Sequence, residues 1–105
     1  MDLGKVEYMS GGVSFRLTLV SPEDPGILKS EGLAGLRRKR LLRLANEAVA
    51  QGAMLGYDDL CCLLVSSLST LKRDVATIEE AGISVILSGR RRKPSILSDR
   101  VVTGV

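Results

Sequence analysis

The sequence predicts an α+β domain, mainly helical, with an extra N-terminal strand. Three observations carry that expectation. Apolar residues alternate with a period of two over residues 13–20, recur at helical spacing within 33–51 and 60–81, and give way to a β-branched run at 83–87. At 105 residues and 45% apolar content the chain has the size of one domain with a single core. Its aromatics are Tyr8, Phe15 and Tyr57 alone, so the core has to be built from Leu, Val, Ile and Ala.

Residues 1–12 show no clear pattern and read as a flexible N-terminus; residues 13–105 read as one domain. In "GGVSFRLTLV", Val13, Phe15, Leu17 and Leu19 fall on one side and Ser14, Arg16 and Thr18 on the other, as in a half-buried strand. "SPEDPG" breaks that strand with two prolines and a glycine. Ser21 before Pro22 is placed to cap a short helical turn, and "ILKSEG" reads as connection. Over 33–51, Leu41, Leu44, Ala45, Ala48 and Val49 recur at helical spacing, and Gly52 stands where a helix-ending glycine belongs. The first half of this helix carries a basic sleeve: Arg37, Arg38, Lys39, Arg40 and Arg43.

After "GAMLGY", Asp58 or Asp59 is placed to cap a short helix with Leu60, Leu63 and Leu64 on one face. Two serines then interrupt the apolar pattern. Ser67 is a favourable N-cap for a second helix from Leu68 to about Ala81, with Leu71, Val75 and Ile78 as its apolar stripe and Gly82 as its stop. The opposite face carries Ser69, Lys72, Arg73, Ala76 and Glu80. A short helix, a tight turn and a longer helix with a polar outer face make a helix-turn-helix outline. "ISVIL" reads as a strand, the basic run after it as an exposed loop, and "RVVTGV" as a returning strand. The order is that of a winged helix-turn-helix.

Composition excludes several chemistries. Without any His, His-based acid–base catalysis, Ser-His and Cys-His nucleophile pairs, and zinc sites needing imidazole are ruled out. Cys61 and Cys62 are too few for a structural metal site, and adjacent cysteines fit a disulfide poorly; they read as small apolar fillers. Asp58 and Asp59 read as a helix cap, and Gly11 and Gly12 as a lone pair without phosphate-loop spacing. The expectation is therefore no enzyme, no catalytic residue, no metal and no cofactor. The longest apolar run, residues 60–65, falls far short of the roughly 20 residues that span a bilayer, so the chain is expected to be cytoplasmic and without a membrane partner.

Charge points instead to an anionic partner. The net charge is only +3, but of fifteen basic residues five lie within 37–43 and four form the run Arg90, Arg91, Arg92 and Lys93. On this reading Ser69, Lys72 and Arg73 approach the major groove at the start of the second helix, a backbone N–H near Ser67 meets a phosphate, and residues 90–93 on the wing reach along the backbone or into a minor groove. Asp74, acidic and beside the apolar stripe, reads as a structural partner. The partner is double-stranded DNA, and two copies in a homodimer would lengthen the site. Two other classes stay open: a winged-helix protein-interaction or dimerisation module, and an RNA-binding module, ranked lower for want of aromatics.

Residues 59–82 resemble the helix-turn-helix of DeoR-type transcriptional regulators. Leu60, Cys61, Leu64, Ser67, Thr70, Leu71, Arg73, Asp74, Val75 and Gly82 correspond without a gap, and "STLKRDV" is the specific part. The resemblance implies DNA binding and transcription regulation. The chain departs from it at the turn, where Val65 replaces a small glycine and Ser66 a buried valine. Because a β-branched residue resists positive φ, a different turn or a one-residue helix shift is expected. Over "LRRKRLLRLANEAVAQGAMLGYDDL", "TLKRDV" and "GISVILSGRRRK" the chain also resembles a prokaryotic family of unknown function. That resemblance implies a longer family protein, of which this chain would be the N-terminal part or a short variant.

Overall fold

The computed structural model describes residues 4–10 and 12–89. The order is β1 (Lys5–Ser10), β2 (Val13–Thr18), α1 (Asp24–Ala50), α2 (Tyr57–Leu64) and α3 (Leu68–Glu80). This is an α+β architecture, mainly helical, with its strands at the N-terminal side.

Residues 5–10, expected to be flexible, form β1. The strand pairs antiparallel with β2, with Tyr8 opposite Phe15 and Val6 opposite Leu17. Two apolar residues are a weak signal by themselves, and the ladder to β2 supplies what the local pattern lacks. Phe15 and Leu17 are buried and Val6 and Tyr8 pack against them, the Tyr8 and Phe15 rings meeting edge-on at 6.0 Å. β2 ends at Thr18, two residues short of the expected limit, and Val13 is exposed despite its apolar register.

α1 holds the hairpin through its side chains. Glu47 Oε1 accepts from the Thr18 N–H at 2.6 Å, and Gln51 both accepts from the Arg16 N–H (2.9 Å) and donates to the Arg16 carbonyl (2.6 Å). Arg43 donates to the carbonyls of Thr18 and Leu19, each at 3.1 Å. The outer edge of β2, which would otherwise present unpaired backbone, is thus closed by one helix face.

The stretch expected as connection, "ILKSEG", is instead the first limb of α1. The helix departs from helical geometry at Gly32 (φ 78°, ψ −178°), a conformation that a side chain would strain. Asp24 and Arg40, sixteen residues apart, would stand ~24 Å apart on a straight helix, yet the Asp24 carboxylate accepts from Arg40 Nε at 3.0 Å. The first limb therefore lies back against the second. At the elbow Gly35 is buried, and a Cβ there would overlap Glu31. The second limb buries Leu36, Leu41, Leu44, Ala45 and Ala48, while Val49, expected on that face, is exposed.

α2 and α3 complete the core with Leu60, Leu71, Val75 and Ile78. Truncating a fully buried leucine such as Leu71 to Ala would cost about 2–5 kcal/mol. The α3 N-cap is Ser67, as the sequence predicts. At α2 the cap differs: Asp59, three residues into the helix, reaches back to accept from the Gly56 N–H at 2.8 Å. At the turn between α2 and α3 the β-branched Val65 takes a positive φ (φ 51°, ψ 54°), and α3 starts at Leu68, where the sequence predicts it.

Beyond Gly82, Ile83 is exposed and residues 84–87 alternate in burial, with Val85 and Leu87 inside. They join no sheet among the described residues; the Ser88 N–H instead donates to the Leu55 carbonyl at 2.8 Å. The returning strand expected at 100–105 and the basic loop at 90–93 lie outside the described residues. Among those described, no helix is long and apolar enough to cross a membrane.

Candidate nucleic-acid interface

The site begins with the start of α3. Ser67 Oγ accepts from the Thr70 N–H (3.3 Å) and donates to Thr70 Oγ1 (2.9 Å), so the hydroxyl is spent on holding the helix start. Its inner stripe of Leu71, Val75 and Ile78 seats α3 on α1 and α2, and that orientation leaves Ser69, Lys72 and Arg73 exposed together on the opposite face. Lys72 Nζ stands 6.0 Å from the Tyr57 ring centroid, a cation–π distance that ties the first residue of α2 to the outer face of α3. The sequence offers no signal for that pairing, since Tyr57 reads there as packing or capping.

The α1 cations behave differently. Arg37 donates Nε and Nη2 to the buried Asp74 carboxylate, the Nη2 bond measuring 3.0 Å, and Arg38 Nη1 lies 3.7 Å from the same group. Asp74 is thus the structural partner its position predicts. Its hydrogen bond holds the Arg37 guanidinium above its ordinary pKa. Arg40 and Arg43 both bond to buried Asp24. Burial pushes the Asp24 carboxyl up, but hydrogen bonds from Arg43, the Ser21 N–H and Arg40 outweigh it and hold the group below its ordinary value. A basic sleeve in the sequence is, in three dimensions, largely a set of tertiary ion pairs.

Of the residues expected to meet DNA, then, Ser67, Ser69, Lys72 and Arg73 are brought together at one end of α3. Arg90, Arg91, Arg92 and Lys93 lie outside the described residues. Among the described residues, Arg73 forms no ion pair, and no cluster of three or more His, Cys, Asp or Glu is arranged to hold a metal. Cys61 is half-buried in the core margin and Cys62 is exposed, both as free thiols. On the far side of α2, Asp59 accepts from the Tyr8 hydroxyl at 2.6 Å and fixes β1 to the helix start. Burial first, then that carboxylate, pushes the Tyr8 phenol up to about 12.

The chain matches the family model described as "Protein of unknown function (DUF1670)" over residues 4–93, and it belongs to that family. No curated protein and no solved structure matches it.

Proposed function

We propose that this family member is a DNA-binding transcriptional regulator, with α3 entering the major groove of double-stranded DNA. One observation carries the reading: the arginines of α1 and the cations at the start of α3 are disposed differently. Arg37, Arg40 and Arg43 are held by two buried aspartates, whereas Lys72 and Arg73 stand exposed beside Ser69 at the start of a well-capped helix. Exposed cations at that end of α3 have the reach and charge to donate to guanine O6 and N7 or to phosphate. The likeness of "STLKRDV" to DeoR-type recognition helices supports the same assignment. Residues 90–93 would add phosphate contacts, which supply affinity and register without sequence information.

The test is fluorescence anisotropy with random-sequence duplex DNA across a salt series. A log–log slope of roughly −0.9 for each phosphate contact is expected. Lys72→Ala/Arg73→Ala should weaken binding by roughly tenfold or more, and neutralising residues 90–93 should flatten the slope. Absence of binding at low salt would overturn the reading in favour of a protein-interaction module.

A further inference from the structure

We infer that the cleft between the α1 elbow and the α2–α3 turn is a binding site for a small apolar carboxylic acid. Its volume is about 410 Å³, within the range of ligand pockets. Leu33, Leu36 and Leu64 form apolar walls and Val65 stands at the turn, while Arg37 and Arg40 supply the polar side. Among the described residues, no acidic side chain lines the cleft. Leu33 is 74% exposed and Val65 89% exposed, so an apolar ligand would remove from water two large side chains that the fold leaves uncovered.

The charge of the surroundings selects the headgroup. Four guanidiniums, of Arg37, Arg38, Arg40 and Arg43, meet two carboxylates, of Asp24 and Asp74, leaving a surplus of two positive charges. The two arginines of the cleft are held in place by those carboxylates through Nε and Nη2, and among the described residues the Nη1 of each has no partner. Guanidinium groups already oriented, with N–H donors unspent, favour a planar carboxylate at little cost in side-chain ordering. An apolar body against the leucines and a carboxylate at the arginines is the ligand these walls describe. The site is independent of whether the chain binds DNA.

The experiment is a titration of the full, isotope-labelled chain with decanoate, followed by amide chemical shifts. Decanol, acetate and inorganic phosphate serve as parallel probes. Saturable shifts concentrated at Leu33, Arg37, Arg40 and Val65 are expected with decanoate. Decanol and the two small anions should bind roughly tenfold more weakly or not at all, since each lacks one half of the recognition. Leu33→Glu, an exposed substitution that sets a carboxylate at the cleft, should abolish the response, and Val20→Glu, at a second residue lining the cleft, should do the same. Ile83→Glu, exposed and outside the cleft, should leave it intact. The inference is overturned if decanoate produces no saturable shift, if its shifts spread over the surface, or if decanol or phosphate matches it. It is also overturned if both cleft variants, with wild-type dispersion, respond as the wild type does.

Discussion

The Asp74 carboxylate, 2% exposed on the inward side of α3, accepts two hydrogen bonds from the Arg37 guanidinium of α1. This bridge fixes the candidate recognition helix to the long helix behind it, across a sequence separation of 37 residues. It also accounts for the acidic residue next to Lys72 and Arg73 in the sequence: Asp74 lies on the buried side of α3, whereas those two cations are exposed.

Removing that carboxylate leaves Arg37 partly buried without its partner. Asp74→Ala should destabilise the fold by about 2 kcal/mol or more, with the half-exposed guanidinium keeping the cost below that of a fully buried pair. Urea unfolding measures it directly. A change of less than half a kcal/mol would mean that the bridge contributes little beyond its neighbours' packing.

Val65 holds a left-handed backbone conformation that costs a β-branched residue about 1–2 kcal/mol. Its side chain is almost wholly exposed, so little packing is lost on removal. Val65→Gly should therefore raise Tm by a few degrees, even after the greater chain entropy of glycine in the unfolded state. Val65→Ala should fall between the two. A thermal melt in which the glycine variant is less stable would show that the side chain contributes packing which offsets the strain.

Asp24 gives acid dependence a definite sign. Its carboxyl is held below the ordinary value in the fold, so its contribution is fully present above about pH 4, the unfolded value, and is lost as pH falls through the folded value. Asp24→Asn should be less stable than wild type at neutral pH, with the gap narrowing as the pH drops. Tyr8 acts in the opposite direction: with its phenol at about 12, its contribution is present below about pH 10 and is lost as pH rises toward 12. Unfolding free energies measured across pH for Asp24→Asn and Tyr8→Phe separate the acid and alkaline limbs. A constant difference from wild type on either limb would sink the corresponding assignment.

Glu47 and Gln51 close the outer edge of β2. Glu47→Ala should release the Thr18 amide and Gln51→Ala the Arg16 amide, each at about 1 kcal/mol. Hydrogen exchange should quicken most at those two amides and less at Phe15 and Leu17, which face the core. Equal acceleration along the whole hairpin would indicate that the strand pair undocks as a unit.

The α2–α3 unit was legible because its signals are local. Ser67 caps an amide three residues away, Leu71, Val75 and Ile78 repeat within one helix, and Gly82 follows the last turn. β2 was visible for the same reason, since alternation is a property of one strand. β1 was not, because its pattern is short and its stability comes from pairing with β2 and from the Tyr8–Asp59 bond across 51 positions.

The arginines of α1 show where local reading ends. Residue type and spacing mark Arg37, Arg40 and Arg43 as a cationic face but carry no information about carboxylates tens of positions away. Asp24 and Asp74 reach them only because Gly32 folds the first limb back and the apolar stripe of α3 turns Asp74 inward. The sequence by itself determined the start of α3, its apolar stripe and the exposed Ser69, Lys72 and Arg73, since caps and periodicity act within a few residues. Only the tertiary structure decided which cations are held in ion pairs, how the hairpin edge is closed and where the cleft opens, because each depends on groups brought together by packing of the whole domain.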